Sequence, residues 1–181
     1  GAVFLAHDLT LERDVAIKVT LGSLLDPSMR QGFFNEARII ASLDHPNIVP
    51  IYEIGQHEGQ YFFTMRLVEG PDLAQAMGGQ PLPGRRAAEL LVKVARAVQS
   101  AHQRGVLHRD LKPGNLFLTH RKDGTPVVKV LDFGISKISE SSWDAPEGVN
   151  ITSTLATMGS PHYMSPEQLR STRSVDNRSD I

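Results

Sequence analysis

Cysteine is absent from the 181 residues, which excludes a disulfide framework and a thiolate zinc site; a metal here would need carboxylates, amides or histidines. No apolar run approaches the roughly 18 residues of a membrane-spanning helix. The N-terminus lacks a charged segment followed by an apolar stretch, so no secretory leader is predicted. Neither sign of charge dominates: 19 Lys and Arg face 20 Asp and Glu, for a net charge of -1. That balance excludes a protein that coats nucleic acid. Internal repeats and low-complexity tracts are also missing. What remains, 40% apolar and 22% charged residues, is the composition of a soluble globular chain, and its length suits one domain or a little more. Its seven histidines include no pair at i, i+4 on a predicted helix, so they read as scattered surface or structural residues instead of a metal site.

The first half alternates short apolar runs with turns. Val3 to Ala6 and Val15 to Val19 read as strands joined by a charged connection from Asp8 to Asp14. On the second strand Val15, Ile17 and Val19 share one face, and Ala16 and Lys18 the other. Asp26-Pro27 reads as a helix start, with the pattern running to about Leu43. Glu36 lies beside the apolar stripe of Phe33, Ala37 and Ile40, and a carboxylate there calls for a cation. Lys18 is its sensible partner. Ile48 to Ile54 and Tyr61 to Val68 read as two more strands around a turn from Gln56 to Gly59.

Gly70 to Gly84 is rich in glycine and proline and reads as a linker. Arg85 to Gln103 reads as a helix, with Leu90, Leu91, Val94, Ala95, Val98 and Ala101 at helical spacing and Gly105 placed to end it. Leu116 to Thr119 and Val127 to Leu131 are short strands around Asp123-Gly124. From Ser136 to Gly159 the sequence is rich in Ser and Thr without periodicity, a length of loop that is usually functional.

The chemistry concentrates in His108-Arg109-Asp110-Leu111-Lys112-Pro113-Gly114-Asn115 and, after the hairpin, Asp132-Phe133-Gly134. Two acidic groups, an amide and a lysine on loops at strand ends suit a divalent ion and a phosphate better than an apolar ligand.

These segments resemble the signature set of the protein kinase superfamily in order and spacing. Val15-Ala16-Ile17-Lys18 matches its strand motif, Glu36 its helix glutamate, His108 to Asn115 its catalytic loop and Asp132-Phe133-Gly134 its metal motif. Ser165-Pro166-Glu167 stands where Ala-Pro-Glu is usual, and Asp180 resembles the aspartate that opens the next large helix. Lys112, the Lys-Pro-Gly-Asn variant and Pro166-Glu167-Gln168 look like bacterial, eukaryotic-like serine/threonine kinases.

The resemblance implies an α+β, bilobal protein-kinase-like fold: an N-lobe over residues 1–68 and a helical C-lobe over residues 69–181. It also implies a partial domain, without the first strand and the start of the Gly-rich loop, and truncated where the central helix begins. It implies a transfer of the γ-phosphate of ATP to Ser or Thr hydroxyls of proteins, with magnesium, or manganese in its place, as the ion. By resemblance Lys18 holds the α- and β-phosphates and Glu36 fixes its ammonium. Asn115 and Asp132 coordinate the metal, Asp110 orients the substrate hydroxyl, and Lys112 steadies the γ-phosphate. Gly1 belongs to the Gly-rich loop. Val3 and Ala16 cover the adenine, Phe117 lies beneath it, Met65 is the gatekeeper, and the backbones of Arg66 and Val68 read the adenine edge. His108 takes a structural place, with Ile40, Ile51 and Phe133 in the apolar column between the lobes.

Arg109 suits a phosphate on the activation loop, with Thr152 and Thr154 as the autophosphorylated pair, and Ser160 belongs to the substrate-binding segment. Expected partners are ATP and protein substrates, without nucleic acid or a membrane segment, and with room for a dimer through the N-lobe. The expected location is the cytoplasm, or the cytosolic side of a larger, membrane-anchored protein. A second reading is a non-catalytic truncated chain, acting at most as a nucleotide-binding or docking module.

Overall fold

The computed structural model describes residues 2–19, 34–35, 37–133, 161–170 and 175–181. Strands β1 (Ala2–Asp8) and β2 (Arg13–Val19) form an antiparallel hairpin. Its turn is held by the Asp8 carboxylate, which accepts the backbone N–H groups of Thr10 and Leu11 at 3.1 Å each. Such side-chain acceptance is why Asp favours turns. β3 (Ile51–His57) and β4 (Gln60–Arg66) complete a four-stranded sheet in the order β1-β2-β4-β3.

The β3–β4 turn is tighter than the expected Gln56 to Gly59. Pairing runs to His57 opposite Gln60, leaving Glu58 and Gly59 as the turn, both at positive φ (47° and 80°). A two-residue turn of this hand matches the twist of the flanking strands, and glycine makes its second position inexpensive. Ile48 to Pro50 do not extend β3 as expected, because Ile48 bridges Val130 in the other half of the chain. Leu67 and Val68 likewise lie past the end of β4.

Residues 34–35 and 37–41 are helical (α1), and Ala37, Ile40 and Leu43 are buried. Phe34 meets Tyr61 edge-on at 5.6 Å, joining this helix to the sheet. The helix start expected at Asp26-Pro27 lies outside the described residues.

The expected linker holds a short helix, α2 (Leu73–Met77). Asp72 accepts the Gln75 N–H at 2.7 Å, and the Gln75 side chain accepts the Asp72 N–H at 3.3 Å. This reciprocal capping box satisfies two donors that a helix end leaves open, and Gly78 in the left-handed region closes it. The long helix α3 (Gly84–His102) follows as expected. Its buried stripe is Val94, Ala97, Val98 and Ala101, while Leu91 and Ala95 face solvent. The i, i+3, i+4, i+7 row that packs is therefore rotated from the expected one.

β5 (Leu116–His120) and β6 (Pro126–Val130) form a two-stranded ribbon. The segment between α1 and β3 is sewn to it. Val130 donates to the Asn47 carbonyl at 2.7 Å, Val49 to the Val130 carbonyl at 3.1 Å, and the Asn47 amide to the Val128 carbonyl at 2.8 Å. Those bonds set the sheet and α1 over the loops that border the ribbon. A last short helix, α4 (Pro166–Arg170), and a single 3-10 turn (Asn177–Asp180) pack beneath those loops through contacts set out below.

Candidate active site

Strand register puts Val3, Ala16 and Lys18 on one face. Val3 is opposite Lys18, Ala16 opposite Met65 and Lys18 opposite Phe63. Successive side chains alternate across a strand, so Phe63 and Met65 also look this way. Met65 and Phe63 are buried, and the Lys18 ammonium lies 5.9 Å from the Phe63 ring centre. A small residue next to a cation, with bulky apolar neighbours, makes a flat roof with a positive charge at its inner end. Val3 is 56% exposed, as the outer edge of an open cleft.

Phe117 on β5 is anchored by the segment that leaves β4. Leu118 donates to the Pro71 carbonyl at 2.9 Å, and Asp72 bridges Phe117. Gly70 makes the approach possible: its φ is 123°, and a Cβ there would overlap the Leu118 carbonyl. The Arg66 side chain turns outward, with Nε donating to the Tyr52 hydroxyl at 3.3 Å. The Arg66 backbone N–H donates to the Pro50 carbonyl at 3.1 Å.

The ribbon's open end gathers the polar groups. Asn115 ends a 3-10 turn just before β5, Asp132 follows β6, and the Leu131 N–H donates to the Asn115 carbonyl at 2.9 Å. Asn115 donates through Nδ2 to the Asp110 carbonyl at 2.7 Å and to Asp110 Oδ2 at 3.0 Å. With its N–H₂ group committed to Asp110, the amide oxygen of Asn115 is the atom left for a cation. Lys112 Nζ is 2.8 Å from Asp110 Oδ2, and Lys18 Nζ is 2.7 Å from Asp132 Oδ1. The first pair lies within one loop, and the second joins β2 to the loop that follows β6.

His108 fixes the loop from inside. It is fully buried, its ring lies 4.7 Å from that of Phe133, and burial pushes its pKa down, against the pull of Asp180 and the Leu131 carbonyl. Nε2 faces the Leu131 carbonyl at 2.9 Å and Nδ1 faces the Asp110 N–H at 3.3 Å. Only the neutral ring with its proton on Nε2 satisfies both. Ile40, Ile51, Met65, Phe133 and Asp132 are among the residues that line a small cavity, and His108, the fourth member of the expected column, packs against Phe133.

Asp180 was legible as an acidic residue near a helix start, but its work was not. Buried, it accepts the N–H groups of His108 and Arg109 at 2.7 Å each, and His102 Nε2 at 2.8 Å. Arg109 and Asp132 both have positive φ, 61° and 60°. Non-glycine residues held there store strain that surrounding bonds must offset. Glu167 accepts the Ser179 hydroxyl at 2.7 Å, and that bond holds its carboxyl below the usual range.

Of the sequence-predicted residues, Lys112 and Asn115 meet Asp110, Lys18 meets Asp132, and Val3, Ala16 and Met65 share the face of Lys18, while Arg66 ends β4, Val68 follows it and Phe117 lies on β5. Gly1, Glu36, Thr152, Thr154 and Ser160 lie outside the described residues. Among the described residues no cluster of three or more His, Cys, Asp or Glu could hold a metal ion.

The profile of the protein kinase domain family matches residues 1–181. Serine/threonine-protein kinase Pkn3 of Myxococcus xanthus is 40% identical across 100% of this chain, which corresponds to 33% of Pkn3. Serine/threonine-protein kinase PknB of Mycobacterium tuberculosis is 39% identical across 99% of the chain and 28% of its own length. The chain therefore spans about a third or less of these relatives. The crystal structure of the Mycobacterium tuberculosis PknI kinase domain superposes with a TM-score of 0.70 at 30% identity, covering 98% of this chain and 63% of that one. On the motifs, the fold and these relatives together, the chain belongs to the protein kinase family, among the bacterial eukaryotic-like serine/threonine kinases.

Proposed function

We propose that this chain carries the catalytic machinery of a serine/threonine protein kinase, which moves the γ-phosphate of ATP to a protein Ser or Thr hydroxyl. The observation that carries the reading is the pairing of Lys18 on β2 with Asp132 after β6, at 2.7 Å, together with that of Lys112 with Asp110 in one loop, at 2.8 Å. Phosphoryl transfer asks little covalent chemistry of a protein. It needs charge neutralised on the phosphates and an acceptor held in line.

Each group then has a role. Lys18 binds the α- and β-phosphates and exchanges Asp132 for them, with Glu36 as a second anchor for its ammonium. Asp110 accepts the hydrogen bond of the substrate hydroxyl and takes its proton as the new O–P bond forms and the bond from the γ-phosphorus to the bridging oxygen breaks, releasing ADP. Lys112 balances Asp110 and the incoming γ-phosphate. Asn115 and Asp132 offer hard oxygen atoms at adjacent strand ends and would hold magnesium, or manganese. That ion, when bound, offsets the negative charge shared by the phosphates. Two protein ligands are too few to hold an ion alone, so binding of ion and nucleotide should be mutually dependent.

The adenine would lie between Val3 and Ala16 above and Phe117 below, against Met65, with the backbones of Arg66 and Val68 along its edge and Gly1 over the phosphates. The lobe boundary would fall between Val68 and Glu69, two residues past the end of β4 and just before the segment fastened to β5. Thr152 and Thr154 are the proposed autophosphorylation sites, Arg109 their partner, and Ser160 part of the substrate-binding segment. No described helix is long and apolar enough to cross a membrane. A location in the cytoplasm, or on the cytosolic side of an anchored protein, and an N-lobe dimer remain part of this proposal.

The test is transfer of labelled γ-phosphate from ATP to a generic protein acceptor, with Asp110→Asn as control. Transfer that survives Asp110→Asn unchanged overturns the assignment of the base. Phosphosite mapping after incubation with ATP should find Thr152 and Thr154 modified; a fully active protein unmodified at both would remove that part of the proposal.

A further inference from the structure

We infer that Gln168 is a positioning residue for Asp110, an inference that rests on the kinase reading above. Gln168 stands 59 residues from Arg109 in sequence, yet its Nε2 donates to the Arg109 carbonyl at 2.8 Å. That carbonyl belongs to the peptide unit joining Arg109 to Asp110. The other end of the same unit, the Asp110 N–H, donates to His108 Nδ1 at 3.3 Å. The peptide plane that leads into the proposed base is thus gripped at both ends by side chains. One step earlier, the Arg109 N–H is held by Asp180 Oδ1 at 2.7 Å.

The grip matters because Arg109 has φ 61°. A β-carbon in the left-handed region relaxes toward φ below zero unless its amide and carbonyl are both committed. Rotation of that peptide would carry the Asp110 carboxylate away from Lys112 and Asn115.

Gln168 is itself pre-set. Its Oε1 accepts the Ser165 N–H at 2.9 Å, and its own N–H donates to Ser165 Oγ at 3.3 Å, a capping box at the start of α4. Both ends of its amide are therefore used, the oxygen inside α4 and the nitrogen across to the catalytic loop. Glutamate could keep only the first of these bonds, and methionine neither. Ser165→Ala leaves the Ser165 N–H in place, so it keeps the Gln168 Oε1 bond while removing the weaker, 3.3 Å half of the box and the Ser165 contact with Glu167.

The experiment compares wild type, Gln168→Met, Gln168→Glu and Ser165→Ala in steady-state phosphate transfer, ATP binding, thermal melting and hydrogen exchange of the 108–110 amides. For both Gln168 variants we expect kcat to fall about tenfold, the scale on which small misplacements of a catalytic group act. ATP affinity should stay within about twofold, and amide exchange at 108–110 should speed up. Ser165→Ala should stay within about twofold of wild type in all four measurements. Unchanged kcat in Gln168→Met overturns the inference, as does a fall in kcat that ATP affinity and melting temperature follow in proportion. A wild type that transfers no phosphate instead overturns the kinase reading, whereas unchanged 108–110 exchange in Gln168→Met removes the clamp alone.

Discussion

The ammonium of Lys18 lies 2.7 Å from the carboxylate of Asp132, with side-chain exposures of 13% and 26%. Strand and loop thus hold each other's charge across the cleft. On the proposed reading ATP would take Lys18 from Asp132, so the pair would be an interaction that nucleotide binding replaces. Lys18→Met removes the cation from the phosphates and leaves Asp132 to repel them. We expect kcat/KM for ATP to fall about 100- to 1000-fold, the usual cost of removing one preorganised charge from a transition state. Initial rates across an ATP titration check this; a loss below tenfold would contradict the role given to Lys18.

Asp110 meets Lys112 at 2.8 Å and, through both its carboxylate and its carbonyl, the Asn115 amide. Asp110→Asn keeps the shape but loses the charge and the proton acceptor. Transfer should fall by about 100- to 10,000-fold, the range for a positioned general base, while ATP binding measured by calorimetry changes little. Asn115→Ala should act differently. It releases Asp110 and withdraws an oxygen from the ion, so the magnesium concentration needed for half-maximal rate should rise.

The site was far more legible in the sequence than its supports. Lys18, Asp110, Lys112, Asn115 and Asp132 stand in fixed local spacing, and motif order carries that information directly. Asp180 and Gln168 reach the catalytic loop from 71 and 59 residues away, and a tertiary hydrogen bond leaves no periodic trace. Helix α2 was missed because glycine and proline on either side of it outweighed the Asp72–Gln75 capping box. The rotation of the α3 stripe has a similar origin. Leu91 and Ala95 are as apolar as their neighbours, and only the packing partner decides which row is covered.

Stability should fall with acid in a way that His108 controls. Burial holds its pKa below the ordinary 6.5, with Asp180, Asp110 and Asp132 pulling the other way. Unfolding releases the ring to its normal pKa, so between that value and the lower folded one the unfolded chain binds more protons. Stability is then complete above about pH 6.5 and is lost as pH falls, with a slope of up to about 1.4 kcal/mol per pH unit. Urea unfolding at pH 7.5, 6.5 and 5.5 should show this decline in wild type, and a shallower one in His108→Asn, whose side chain does not titrate. Parallel declines would mean that His108 is not the group responsible.

Gly70 tests whether the cleft floor depends on backbone approach. Its φ of 123° is open to glycine almost alone, and a Cβ would overlap the Leu118 carbonyl, whose own strand carries Phe117. Gly70→Ala must either strain the backbone or push the 70–72 segment off β5. Strained conformations of this kind cost on the order of 1–3 kcal/mol, which should appear as a lower urea midpoint at unchanged m-value. If the segment moves instead, Phe117 loses its anchor and the adenine its floor, so ATP affinity should drop while the rate at saturating ATP stays close to wild type. Gly78→Ala is the control. Gly78 also has positive φ, 54°, but nothing lies within 4 Å of a Cβ placed there, so it should lower stability by the smaller backbone cost alone and leave ATP affinity untouched. Equal effects of the two substitutions on nucleotide binding would show that contact with Leu118 is not what holds the floor.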